Sequence, residues 1–119
     1  MISHIGIYVE NLKNSSEFYI PLLEAINWEV IIKNDFCVAM GKGNIPFFEV
    51  YTGKQASSPI HIAFECASKE EVKTFYNTAI QLNASDNGKP GYRDYFPDYY
   101  SCFVLDQNGH NLEGLYFGK

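Results

Sequence analysis

The chain is poor in several residue types. Its 119 residues include one arginine, Arg93, one tryptophan, Trp28, and three cysteines, Cys37, Cys66 and Cys102. The cysteines are odd in number, widely spaced and set among apolar neighbours. That argues against a disulfide framework or a thiolate zinc site and fits a reducing, cytoplasmic setting. None has a His or basic residue within two positions in sequence, so they read as small core side chains. No apolar run approaches the roughly 20 residues that span a bilayer. The opening Met1-Ile2-Ser3-His4 has no basic region of secretory type, so no membrane partner is expected. Positive charge is also scarce: 9 Lys+Arg face 14 Asp+Glu, a net charge of −5. A chain of this sign repels phosphate backbones, which disfavours nucleic acid as a partner. What remains is 46% hydrophobic and 19% charged, enough for one packed domain over residues 1–119. Aromatics are plentiful, at nine Tyr and nine Phe. That excess has to be buried or has to line a cleft for a small molecule.

The chain repeats itself. His4-Ile5-Gly6-Ile7 is followed by Phe18-Tyr19, and His61-Ile62-Ala63-Phe64 is followed at the same spacing by Phe75-Tyr76. Further along, Phe48-Glu49-Val50-Tyr51 follows a Gly/Asn turn, and Leu112-Glu113-Gly114-Leu115 follows another, at a longer offset. Two copies of one unit account for this, with extra residues in the Pro/Gly-rich stretch after Asp86. Module 1 covers about residues 1–51, a polar joint residues 52–59, and module 2 about residues 60–119.

Residues 2–9 alternate as a strand. Asn14 with Glu17 has capping-box spacing, and a helix is expected to run to about Ala25. Three strands follow, over residues 28–33, 36–40 and 45–51. Ile60–Cys66 reads as a strand, and Ser68 with Glu71 as a second capping box. Val72, Phe75, Tyr76, Ala79 and Ile80 form the stripe of an amphipathic helix. Residues 86–97 read as loop with at most a short strand. Residues 99–105 and 111–117 read as a hairpin around Asp106-Gln107-Asn108-Gly109. Each copy is β-α-β-β-β, an α+β fold.

The period-two rule assigns faces. His4 lies opposite Ile5, Ile7 and Val9, and His61 opposite Ile62, Phe64 and Cys66. Glu49 lies opposite Phe48 and Val50, and Glu113 opposite Leu112. If the copies pack about a pseudo-two-fold axis, His4, Glu49, His61 and Glu113 converge. Two imidazoles and two carboxylates suit one divalent ion with open positions for water or substrate. Tyr8 and Tyr51 share that face. Arg93, among Tyr92, Tyr95, Tyr99 and Tyr100, reads as an anion anchor with aromatic walls. His110, in the hairpin turn, reads as solvated.

These segments resemble the vicinal oxygen chelate superfamily, which includes glyoxalase I, bleomycin-resistance proteins, thiol transferases acting on fosfomycin, and extradiol dioxygenases. The resemblance spans the whole chain. It is carried by His4 to Val9 with Ser16-Glu17-Phe18-Tyr19, by His61 to Phe64, and most specifically by Asp106 to Glu113, a "D-x-x-G-x-x-x-E"-like hairpin. It implies two βαβββ modules forming a cup-shaped mixed sheet with helices outside. It also implies metal ligands at His4, Glu49, His61 and Glu113, and a nickel, zinc, cobalt, manganese or iron ion. A glyoxalase I-type lyase or isomerase would act on a small substrate with vicinal oxygens through an enediolate. Glu113 would be the base and Glu49 its symmetry partner, with Arg93, Tyr8, Tyr51, Tyr95 and Tyr100 around the substrate. A homodimer is a common assembly of the family. Two alternatives stay open: a metal-free small-molecule-binding protein of bleomycin-resistance type, and a ferrous extradiol-type dioxygenase.

Overall fold

The computed structural model describes residues 1–118 and divides into two compact units, Met1–Ser57 and Ser58–Lys119. The first unit comprises β1 (Ile5–Val9), α1 (Leu12–Glu24), β2 (Glu29–Lys33), β3 (Cys37–Lys42) and β4 (Ile45–Thr52). The second comprises β5 (His61–Glu65), α2 (Lys69–Gln81), β6 (Ser85–Arg93), β7 (Tyr99–Leu105) and β8 (Asn111–Phe117). Each unit is β-α-β-β-β, and the α+β class follows. The two sheets have the same order, β1-β4-β3-β2 and β5-β8-β7-β6. In each, the first strand pairs parallel with the last, and the remaining pairs are antiparallel. Among the described residues no helix is long and apolar enough to cross a membrane.

Each helix covers one face of its own sheet. In the first unit Phe18, Tyr19, Leu22 and Leu23 of α1 are buried with Ile7, Val9, Val38, Met40, Phe48 and Val50. The Tyr19 and Phe48 rings stand 5.1 Å apart. In the second, Val72, Phe75 and Ala79 of α2 are buried with Ile62, Phe64, Cys102, Val104 and Leu112. Burying a side chain such as Phe75 completely is worth about 1.5–3 kcal/mol. Gly114 makes this contact possible, because a Cβ there would lie 2.9 Å from the Phe75 ring and 3.2 Å from Cys102 Sγ. All three cysteines are buried, and none is in a disulfide. Burial pushes the Cys37 thiol up and holds that of Cys102 at about 12, which suits inert core residues.

Several sequence expectations are corrected. The α1 cap is Asn11, not Asn14: the Asn11 side chain accepts from the Asn14 backbone N–H at 3.0 Å, so the helix starts earlier than the capping-box spacing suggests. The Ser68 cap is as read, and accepts from Glu71 N–H at 3.0 Å. Ile80 is exposed rather than part of the buried stripe. β1 begins at Ile5, so His4 stands just before the ladder. Residues 85–93 form a strand, not a loop. β6 is an edge strand with register shifts around Gly88, where Pro90 and the glycines are tolerated because only one side must pair.

His110 is the largest departure, being fully buried rather than solvated. The Asp106 side chain accepts from the Asn108 and His110 N–H groups at 2.9 Å each, closing the turn. Gly109 takes the left-handed φ of +83° that this turn needs. The imidazole is thereby drawn inward, and its Nδ1 accepts the Ile60 N–H at 3.0 Å.

Candidate functional site

The two units place one His and one Glu each in the same relation. In the parallel β1–β4 pair Gly6 lies opposite Glu49, and His4 is two residues before Gly6 on the same face. In the parallel β5–β8 pair Ala63 lies opposite Glu113, and His61 is two residues before Ala63. The His–Glu relation is thus diagonal across neighbouring strands, within reach of long side chains. The intervening residue is small in both units, Gly6 or Ala63, which leaves the carboxylate room to lean toward the imidazole.

The distances follow. His4 Nε2 stands 3.7 Å from Glu49 Oε1, and His61 Nε2 stands 2.9 Å from Glu113 Oε1. Both imidazoles are about half exposed, whereas the Glu49 side chain is 13% and the Glu113 side chain 1% exposed. A buried carboxylate is retained only when partners compensate its lost hydration. Glu113 has two, His61 at Oε1 and the Tyr99 hydroxyl, which donates to Oε2. Glu49 is served by the Tyr51 hydroxyl, which donates to Oε1 at 2.8 Å. The bond to Glu49 and then burial hold the Tyr51 hydroxyl at about 12. Burial, and then the bond to Glu113, push Tyr99 well above the ordinary tyrosine range. Both tyrosines therefore stay protonated donors across the physiological range.

Among the described residues no group of three or more His, Cys, Asp or Glu is placed to hold a metal ion; each unit presents a His–Glu pair. Neighbouring ligands of an ion at about 2.0–2.2 Å stand roughly 2.9–3.5 Å apart for octahedral to tetrahedral angles. The His61–Glu113 pair lies at the lower end of that range, and His4–Glu49 slightly beyond it. An exposed imidazole can close that remainder by turning about its own rotamers. Nitrogen and carboxylate donors suit nickel, zinc, cobalt, manganese or iron. The second pair also carries an outer partner, Tyr99, of the kind that fixes a ligating carboxylate.

The other residues singled out in the sequence fall as follows. Tyr8 is exposed, with its ring 5.8 Å from that of Tyr51. Tyr100 is buried, edge-on to Tyr92 at 5.1 Å. Tyr95 is exposed and edge-on to Tyr99 at 5.4 Å. Arg93 donates through Nη2 to Lys89 O at 2.6 Å and lies over the Phe103 ring. The role of Tyr99 was not legible in the sequence. It lies on β7 opposite Phe117, two strands from His61, and only the fold brings its hydroxyl to Glu113.

His61 itself is positioned from the hairpin. Ile60, immediately before it, donates its N–H to His110 and accepts from Asn111 N–H at 2.8 Å. The Asp106–Glu113 segment therefore supplies the carboxylate and also anchors the strand end that carries the imidazole.

No protein-family model and no curated protein matches the chain. Solved structures do. A glyoxalase/bleomycin resistance protein from Albidiferax ferrireducens T118 aligns over 96% of both chains at 21% identity, with a TM-score of 0.82. A glyoxalase/bleomycin resistance protein/dioxygenase family enzyme from Burkholderia phytofirmans PsJN covers 98% of both at 15% identity and 0.75. A glyoxalase-related enzyme from Fulvimarina pelagi covers 98% of this chain and 87% of its own at 14% identity and 0.73. At such identities the likeness establishes the fold, which is that of the glyoxalase/bleomycin-resistance/dioxygenase proteins, as the resemblance implied.

Proposed function

We propose that the chain is a divalent-metal-dependent lyase or isomerase of glyoxalase I type, with His4, Glu49, His61 and Glu113 as the ligands of the ion. The observation that supports this best is the recurrence of the diagonal His–Glu pair in both units. A solvated pair has no reason to occur twice at matched positions, each with a tyrosine hydroxyl on its carboxylate.

The ion, when bound, supplies Lewis-acid stabilisation of negative charge developing on two adjacent substrate oxygens. The chain's residues do the rest. Glu113 takes the proton from one carbon of a hemithioacetal and returns it to the next. Tyr99 holds Oε2, so Oε1 would be the oxygen that takes the proton, after letting go of the ion and of His61. Burial of Glu113 keeps bulk water from exchanging that proton in transit. Glu49, held by Tyr51, is its counterpart in the first unit. A homodimer is part of this reading, and a single-chain mass in light scattering at micromolar concentration would count against it.

One observation favours the second reading, a metal-free binding protein: His61 and Glu113 already satisfy each other at 2.9 Å. Elemental analysis of purified protein together with a hemithioacetal isomerase assay separates the two. About one divalent ion per site and turnover that a chelator abolishes are expected. Full ligand binding by chelated protein with no turnover under any metal would sink the lyase reading.

A further inference from the structure

The second unit carries an exposed aromatic cluster to which the proposed function assigns no ligand group. Tyr95, Phe96 and Phe117 are 67%, 64% and 53% exposed. Rings of this size are ordinarily covered, so three together on one surface mark a contact site rather than chance exposure. They form an ordered series. Tyr95 stands edge-on to Tyr99 at 5.4 Å, Tyr99 to Phe117 at 5.3 Å, and Phe117 to Phe96 at 6.0 Å. The loop that displays Tyr95 and Phe96 is pinned. Gly118 donates its N–H to Asp98 O at 2.9 Å, and Asp98 takes a left-handed φ of +59° to close the turn. The end of the loop is thereby tied to the end of β8, beside Phe117.

The cluster is also continuous with the polar site. Tyr99 is a member of the ring series and the donor to Glu113 Oε2. The ring that touches Glu113 is that of Tyr99, and Tyr95 and Phe117 flank it. We propose that Tyr95, Phe96 and Phe117 form a wall that receives an uncharged aromatic group of the ligand; this rests on the proposed function for the placement of the ligand's oxygens. Charge points the same way. Tyr95 and Phe96 sit between exposed Asp94 and Asp98, while Arg93 is held by Lys89 O and Phe103, so an anionic ring is disfavoured. Rings joined edge to face offer ring faces against which a planar group can lie.

Benzohydroxamate and acetohydroxamate test this without turnover, since they present the same two oxygens with and without a ring. Calorimetric titration of the full chain, with and without one equivalent of Ni2+, is expected to favour benzohydroxamate by about tenfold, the scale of one aromatic contact. In Phe96→Ala/Phe117→Ala the ratio should fall to about twofold or less. Tyr95→Ala, a surface change that leaves the core intact, should lower it by about threefold. Equal affinities in the wild type, or a ratio unchanged in both variants, would overturn the assignment. So would an altered light-scattering mass of the variants with no change in the ratio, which would assign the rings to a contact between copies. Loss of hemithioacetal turnover with the ring preference intact would overturn the lyase reading alone.

Discussion

The two units share a topology and a His–Glu diagonal, but they do not hold their carboxylates alike. Glu49 is partly open, stands 3.7 Å from His4, and takes its hydroxyl from Tyr51, two residues along the same strand. Glu113 is closed off, stands 2.9 Å from His61, and takes its hydroxyl from Tyr99 on the neighbouring strand. The second unit also pins its histidine through Ile60 to the His110 hairpin. At the position of the first unit matching His110 stands Pro46, whose ring nitrogen and side chain offer no such acceptor. The two units therefore share the geometry that places the donors, while the support around them differs. On the proposed lyase reading the more deeply buried carboxylate, Glu113, would be the one that moves the proton, because electrostatic interactions strengthen where water is excluded.

The largest expected effect tests that asymmetry directly. Glu113→Gln should keep the fold, since Leu112 and Gly114 still pack, and should lower kcat for hemithioacetal isomerisation by about 10²–10⁴. Glu49→Gln should cost less, by about a factor of ten or more, than Glu113→Gln under the same metal loading. Steady-state kinetics with circular dichroism as a folding control measures both. Equal losses would make the two units functionally symmetric and remove the assignment of Glu113 as base.

A smaller effect probes the tyrosines. Tyr99→Phe deletes the donor to a buried carboxylate and should weaken metal affinity by about 10–100-fold. Tyr51→Phe removes a donor from a carboxylate that water still reaches, and should weaken it by less than about tenfold. Competition with a chromophoric chelator gives both values. If Tyr51→Phe were the more damaging, burial would not be what separates the two sites.

The smallest effects concern stability. Gly6→Ala gives the first unit the residue type that the second has at Ala63. Its Cβ would meet nothing closer than the Tyr51 ring at 3.4 Å, so unfolding free energy should change by less than about 0.5 kcal/mol. Gly114→Ala drives a methyl group against Phe75 and Cys102 and should cost about 1–3 kcal/mol. Urea denaturation of both variants sets the contrast, and a silent Gly114→Ala would mean that the α2 contact is more compliant than described.

Much of this molecule is local in origin. The alternation that turns His4, His61 and Glu49 away from the helix-facing residues is a property of any strand, so it can be read from the chain. The same holds for the Ser68 cap, the buried face of α2 at Val72, Phe75 and Ala79, and the doubling of the unit. The strand at Ser85–Arg93 cannot be read from the sequence, because Pro90 and two glycines have no strand preference of their own. That segment becomes β6 only because β7 offers it an edge. The burial of His110 depends on Asp106 closing the turn and on Ile60 arriving from a distant strand. The hydroxyl of Tyr99 finds Glu113 only after β7 and β8 have paired. The sequence by itself determined which donors face away from the core, since side-chain direction on a strand has a period of two and requires no partner. Tertiary structure alone decided how strongly each donor is held, since burial and hydrogen bonds come from residues that the chain order keeps apart.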